Sequence, residues 1–258
     1  MRSLSPIPQR LSFVVRRQAS EIRKRRADAV HQTAMGVLGL PLAPLVALLI
    51  RVLRPWVCIR FGKLTSVRIG HFAGNTEVYL CERDAGLHGS PAKTLDIFYH
   101  SQSVCNRQLK IMWDRALHVW PLVTFADLLS RRLPGWQHHV IPTTENRDIH
   151  GVLPRTQPHL SFTAEEEAKG EKELRRMGIP EGAPFVCFAA RDKAYLDQGV
   201  LSMRDFRYHD YRHADIANYL PAVDELTKRG YVALRMGSLV GKPLNDTDEH
   251  RIIDYATK

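Results

Sequence analysis

The chain lacks the short motifs that identify several large enzyme classes. It contains no phosphate-binding P-loop, no G-x-G-x-x-G segment after a strand, no G-x-S-x-G nucleophile elbow and no H-E-x-x-H pair. Each of these motifs holds a nucleotide, a catalytic serine or a zinc ion through a fixed local geometry. Their absence argues against a dinucleotide-dependent enzyme and against a serine hydrolase.

Cysteine is scarce, and the four cysteines lie far apart in the 258 residues. Cys58, Cys81, Cys105 and Cys187 form no C-x-x-C pair. Such pairs are typical of structural zinc sites and redox dithiols. We therefore expect reduced cysteines in a cytosolic compartment, most of them buried as small hydrophobic residues.

Acidic residues are scarce only near the N-terminus. Residues 1–60 carry 11 Lys or Arg against two acids, so they hold +9 of the formal net charge of +10. A nucleic-acid-binding protein is expected to carry its basic face on the folded domain, whereas the body here is close to neutral. The charge distribution therefore argues against nucleic acid as a partner. It indicates a basic arm drawn to anionic lipid, by roughly 1 kcal/mol per basic residue close to the surface.

An uncharged segment, TAMGVLGLPLAPLVALLI, covers residues 33–50. Its length is at the lower edge of the roughly 17–25 residues that cross a bilayer, and Pro41 and Pro44 are expected to kink it. Basic residues lie on both sides, whereas a simple span carries them on one side. We expect residues 33–54 to associate with the membrane, either as a span or as a re-entrant or interfacial hairpin. The alternative is an apolar helix packed on the domain.

The body alternates short apolar strands with helices, a pattern that predicts doubly wound parallel sheets. In the first half the predicted strands are 56–59, 64–69, 94–99 and 139–141, with a turn at Gly62-Lys63, and the predicted helices are 75–84, 106–117 and 125–132. Residues 161–177 read as a solvated helix ended by Gly178. A second unit follows, with strands at 184–190 and 231–236 and a helix between them that Asn218 caps, with Pro221 in its first turn.

These elements predict four regions. They are a basic arm and membrane segment (1–54), a Rossmann-like domain (55–141), a linker with the solvated helix (142–183) and the start of a second Rossmann-like domain (184–258). Two strands and one helix do not complete a doubly wound domain. We therefore expect the natural sequence to continue beyond Lys258.

Candidate site residues follow the predicted strands, because ligands of open α/β sheets bind beyond the carboxyl ends of the strands. These residues are Gly70 and His71 in the first unit and Arg191, Asp192, Arg235 and Gly237 in the second.

Their side chains suit different tasks. Histidine titrates near neutral pH, so His71 is the predicted general base for an acceptor hydroxyl. Arg191 and Arg235 can each donate two parallel hydrogen bonds to a diphosphate, and Gly237 lets the backbone approach closely. Structural alternatives remain open: a satisfied loop histidine, a local ion pair or turn at Arg191 and Asp192, and an edge cation paired with an acid at Arg235.

The predicted loop 191–217 is longer than most structureless connections, which favours a functional lid. It is rich in arginine, histidine and tyrosine, which suit an anionic, ring-bearing ligand such as a nucleotide sugar. The residues concerned are Arg204, Arg207, Tyr208, His209, Tyr211, Arg212, His213 and Asp215.

Several of these stretches together resemble a family of bacterial glycosyltransferases associated with surface-polysaccharide synthesis. The resemblance is carried by YRHADIANYLPAVDELTKRGYVALRMG (211–237), IGHFAGNTEVYL (69–80), CFAARDKAYL (187–196) and the apolar stretch that runs into RPWVCIRFG. It covers roughly residues 50–258. The joint pattern of these stretches carries the resemblance.

The resemblance implies a GT-B-like architecture with a nucleotide-sugar donor bound by the second Rossmann-like domain. It implies that Gly70, His71 and Asn75 face the acceptor. Donor or cleft residues would be Arg191, Asp192, Arg212, Asp215, Asn218, Arg235 and Gly237. Enzymes of this architecture usually need no bound metal, so no cofactor is expected.

Two functions remain open from the sequence. The first is sugar transfer from a nucleotide donor to a polysaccharide or lipid-linked acceptor at the cytoplasmic face of the inner membrane. The second is a non-catalytic, membrane-associated module that binds a partner or an acceptor.

Overall fold

The structure is a computed structural model, and it describes residues 7–88, 93–101, 103–141, 147–194, 207–237, 240–244 and 251–257. The chain is mixed α/β, and all strand pairs in its two described sheets are parallel. It divides into two compact units, residues 25–162 and residues 163–258 with 1–24. The division at residue 162 lies inside the segment predicted to be a linker.

Two helices precede the first sheet. Helix α1 (Ile7–Leu38) ends at Gly39, a 3-10 turn covers Leu40–Leu42, and helix α2 (Ala43–Leu53) follows. The predicted kink is confirmed at this break, where Pro41 lies at the start of the 3-10 turn. The apolar residues of α2 divide between a buried and an exposed face. Ala43, Ala47 and Ile50 are buried, whereas Leu45, Leu48, Leu49 and Val52 are exposed.

The first sheet pairs strand β1 (Cys58–Leu64) with strand β2 (Thr94–His100), and helix α3 (Ile69–Asp84) connects them. The predicted turn at Gly62-Lys63 and the predicted strand over residues 64–69 are wrong, because β1 continues to Leu64 and α3 begins at Ile69. A Cβ atom on Gly62 would lie 2.8 Å from the Phe98 ring. This glycine therefore marks a close approach within a strand.

The remaining elements of the first unit cover this sheet. Helix α4 (Arg107–Ala116) is capped by Asn106, and helix α5 (Thr124–Ser130) follows, which confirms both predicted helices. Within α4, Met112 and Trp113 are buried, whereas Ala116 is exposed.

The predicted strand at residues 139–141 is replaced by a 3-10 turn, Trp136–His139, and one bridge from Val140 to Phe61. The cause is the buried His139 side chain, whose Nδ1 lies 2.7 Å from Ile59 O and takes a sheet carbonyl as its partner. Burial lowers the pKa of His139 below its ordinary value.

A buried polar network joins α3 to the sheet. Arg60 and Asp96 are paired across β1 and β2, with Arg60 Nε 2.7 Å from Asp96 Oδ1. Tyr79 donates a hydrogen bond to Asp96 Oδ2, and it accepts one from Arg60 Nη2. Burial, together with the carboxylate, raises the pKa of Tyr79 well above its ordinary value. Because each charge has a partner, the network is structural.

The second unit begins with helix α6 (Ala164–Arg176). Thr163 and Glu166 form a capping box at the N-terminus of this helix. Gly178 adopts φ +96°, which confirms its predicted role at the helix end. Strands β3 (Phe185–Phe188), β4 (Val232–Arg235) and β5 (Ile252–Asp254) form a parallel sheet in that order.

Helix α7 (Leu220–Lys228) precedes β4 and carries Pro221 in its first turn, as predicted. The predicted cap at Asn218 is wrong. Asp215 caps a 3-10 turn, Ile216–Tyr219, that runs into α7, and its Oδ1 accepts a hydrogen bond from Ala217 N at 3.0 Å. Asn218 lies inside this turn, because the aspartate three residues earlier supplies the capping oxygen.

Candidate functional site

The carboxyl ends of β1 and β2 meet at Leu64 and His100, which are partners in the sheet register. Serine side chains tie the following loops to this edge. Ser101 Oγ donates to Leu64 O at 2.8 Å, and Ser66 Oγ donates to Ser103 O at 2.8 Å. The edge is therefore a fixed, polar rim at the position where parallel sheets bind ligands.

His100 contributes a buried histidine–carboxylate pair to this rim. Its Nε2 lies 2.7 Å from Asp114 Oδ1, its side chain is 1% exposed, and its ring packs edge-on against Phe72. Its Nδ1 is buried and makes no hydrogen bond. Burial raises the pKa of Asp114, but hydrogen bonds from His100 and Lys110 outweigh this and leave that pKa below its ordinary value.

His71 and Asn75 lie together at the start of α3. The half-buried His71 places Nδ1 3.3 Å from Oδ1 of the buried Asn75, one helical turn away. Because an amide oxygen only accepts, the neutral form of His71 in this contact carries its proton on Nδ1 and its lone pair on Nε2. Gly70, beside it, is exposed, and no atom lies within 4 Å of the place where its Cβ would be. The three predicted acceptor-side residues thus begin a helix, with space beside them.

At the second sheet, Arg191 and Asp192 follow β3. Arg191 is exposed, and its carbonyl accepts a hydrogen bond from Ala214 N at 3.0 Å. Asp192 accepts hydrogen bonds from Ala194 N and Gly241 N at 2.9 and 2.8 Å. The Asp192 carboxylate therefore organises local turns, in line with one of the alternatives drawn from the sequence.

Arg235 and Gly237 are packed into the fold. Arg235 is 3% exposed, and its Nη1 lies 3.1 Å from Asp254 Oδ2 on β5. A Cβ on Gly237 would lie 2.7 Å from Val240 Cγ1. The structure thus places Arg235 as a cation paired with an acid within the sheet.

The other predicted donor residues lie between β3 and α7. Arg212 ends a 3-10 turn, Arg207–Arg212, and is exposed, as are Asp215 and Asn218. The hydrogen bond between Ala214 and Arg191 connects this segment to the end of β3. Arg204 lies outside the described residues, as do the side chains of Arg207, Tyr208 and His209.

Sequence reasoning missed His100, although the strand-end rule that selected His71 also selects it, because it follows the predicted strand 94–99. It also passed over the D-x-D spacing of Asp246 and Asp248, which is typical of metal-dependent sugar transferases. These two residues lie outside the described part of the chain. The expectation that no metal is needed therefore rests on the family resemblance alone.

Comparison with known proteins gives no relative. No family model matches the chain, and neither the curated proteins nor the solved structures include a significant match. Function is therefore inferred from the two sheet edges.

Proposed function

We propose that the chain is a GT-B-like glycosyltransferase that moves a sugar from a nucleotide donor to a polysaccharide or lipid-linked acceptor at the cytoplasmic face of the inner membrane. The observation that carries this proposal is the difference between the two parallel sheet edges. One edge presents an oriented histidine, and the other presents exposed guanidinium groups. In this proposal the first edge serves the acceptor and the second edge serves the donor.

Exposed arginines support donor binding at the second edge. Arg191 and Arg212 belong to segments that a backbone hydrogen bond holds together, and guanidinium groups suit the paired oxygens of a diphosphate. Asp215 and Asn218 are exposed in the adjoining 3-10 turn, where they can bind sugar or ribose hydroxyls. In this proposal Arg235, Asp192 and Gly237 support the second edge through their internal contacts.

The first edge supplies the general base. His71 Nε2 takes the proton of an acceptor hydroxyl, and the hydroxyl oxygen attacks the anomeric carbon of the donor sugar. The bond from that carbon to the diphosphate breaks, and the diphosphate leaves with the electron pair. The arginines of the second edge stabilise the departing charge. Asn75 is a positioning residue, because it fixes the His71 ring.

Helix α2 supports membrane association. Within the part of the chain that the structure describes, one helical stretch, Arg26–Leu53, is long and apolar enough to cross a bilayer, and 28% of its apolar window is buried. However, Arg51 Nη2 donates to Ser130 O at 3.1 Å, and Ala43 and Ile50 pack into the core of the first unit. We therefore favour an interfacial helix that stays on the domain and turns its leucines to lipid.

A non-catalytic binding module is the second candidate. It is favoured by the internal hydrogen bonds and packing of Asp192, Arg235 and Gly237, which explain these residues without a substrate. Activity separates the two functions.

The test is a pair of histidine variants. We expect His71→Gln to lower nucleoside diphosphate release from a nucleotide sugar, in the presence of a bacterial lipid extract, by roughly 10²–10⁴-fold. His138→Gln is the matched control, because His138 is exposed and outside the proposed site. Equal rates for the two variants, or no release by the unsubstituted chain, would contradict the proposal.

A further inference from the structure

Three potential metal ligands converge on the second half of α3. Glu77 and Cys81 lie one turn apart on the helix, and His159 returns to them from a segment 82 residues away in the sequence. His159 Nδ1 lies 3.1 Å from Glu77 Oε1, and Cys81 Sγ lies 3.9 Å from the same oxygen. One donor atom from each of the three residues lies within 4.8 Å of the other two.

We propose that Glu77, Cys81 and His159 bind a divalent cation of the zinc class. Zinc bonds of about 2.0–2.3 Å place tetrahedral ligand atoms about 3.3–3.6 Å apart, so small side-chain movements complete the geometry. Sulfur and imidazole ligands favour zinc over magnesium or calcium, which prefer oxygen alone. Three protein ligands leave a fourth position for water or another group.

Asp84 supplies the outer support that zinc-bound histidines usually have. His159 Nε2 lies 2.9 Å from Asp84 Oδ2. A histidine that ligates through one ring nitrogen commonly donates the other N–H to a carboxylate, which fixes the ring. A neutral imidazole can donate to only one of the two carboxylates that it faces, so either a second proton or a cation at Nδ1 satisfies the other.

A cavity of about 500 Å³ lies beside Asp84. Its lining includes Asp84, whose carboxylate contacts His159, but none of the three ligand residues. The cluster lies away from His71, which begins the same helix, so the metal site is independent of the proposed transferase function.

Metal binding at this place must remove the proton of Cys81. A bound zinc ion holds the cysteine side chain as its thiolate. Binding therefore releases a proton and strengthens as the pH rises. The expected consequence is a metal-dependent link between α3 and the segment that carries His159.

The test uses the full chain freed of metal with a chelator and then titrated with Co²⁺ and Zn²⁺. We expect one equivalent of Co²⁺ to give a thiolate-to-cobalt charge-transfer band that Zn²⁺ removes. The band should be lost in Cys81→Ser and kept in Cys187→Ser, which alters an exposed cysteine in the other unit. Asp84→Asn should weaken the affinity for zinc roughly 10–100-fold.

A second pair of measurements guards against a folding defect. Glu77→Gln keeps the side-chain shape, and circular dichroism reports whether each variant folds. We expect zinc to raise the unfolding temperature of the unsubstituted chain and of Cys187→Ser, but not that of folded Glu77→Gln. The absence of a thiolate band, or a band unchanged in Cys81→Ser, overturns the proposal and leaves an ion-pair cluster of Glu77, His159 and Asp84.

Discussion

At the residue scale, the break between α1 and α2 depends on a missing side chain. A Cβ on Gly39 would lie 2.0 Å from Leu122 O, a distance that no real Cβ tolerates. Gly36, one turn earlier, differs, because its Cβ would lie 3.5 Å from the Phe125 ring in ordinary contact. Backbone at Leu122 cannot move as a flexible side chain can, so Gly39 determines how closely this break approaches the domain.

This contrast gives a stability prediction. We expect Gly39→Ala to lower the free energy of unfolding by roughly 1–3 kcal/mol, because the added methyl group overpacks against backbone. Gly36→Ala is the control, and alanine in a helix should make it neutral or about 1 kcal/mol more stable. Urea unfolding followed by circular dichroism measures both. Equal effects of the two substitutions would show that the close contact does not matter.

Other residues show where the sequence alone was insufficient. Glycine is common in turns, so a turn was predicted at Gly62. In the structure, the Phe98 ring of the neighbouring strand leaves no space for a side chain at this position. Arg235 ends a strand, where a phosphate ligand is expected, but it forms an ion pair with Asp254 on β5. In both cases the deciding neighbour comes from another strand, so local sequence patterns do not reveal it.

At the element scale, α2 has one face packed into the domain core and one face exposed. Ala43 and Ile50 pack into the core of the first unit and Arg51 donates to Ser130 O, whereas Leu45, Leu48 and Leu49 are each about half exposed or more. A contiguous exposed apolar face next to basic residues is typical of interfacial membrane helices.

We therefore expect Leu45→Glu combined with Leu48→Glu to abolish binding to anionic lipid vesicles in a flotation assay, because the charges oppose insertion. Ile111→Glu changes an exposed apolar residue on α4 and should leave binding intact. If the double variant floats as well as the unsubstituted chain, α2 is not the lipid contact.

Helices with complete local signals were predicted well. The capping box at Thr163 and the glycine at residue 178 define α6 without tertiary help. By contrast, the start of α3 was placed six residues late. Arg68 makes no side-chain cap there, and Gly70 and Gly74 both weaken the helical pattern in the sequence.

At the scale of the whole molecule, alternating strands and helices correctly predicted a mixed α/β chain with parallel sheets. The pairing of its units as GT-B remains a proposal. The Glu77–Cys81–His159 cluster was not foreseen, because 82 residues separate Glu77 from His159 and no motif spacing connects them. The candidate edges were predictable, since the strand-end rule needs only the order of elements.

The central claim is that the second sheet edge binds a nucleotide sugar. It is tested most directly by thermal unfolding with a panel of nucleoside diphosphates and their sugars. We predict that one nucleotide raises the unfolding temperature, since a ligand at a hundredfold excess over its Kd stabilises by about 2.7 kcal/mol. Arg191→Ala should lose this shift. Arg229→Ala should keep it, because Arg229 pairs with Glu225 near the opposite end of β4. No shift with any nucleotide, or the same shift in both variants, would contradict the account.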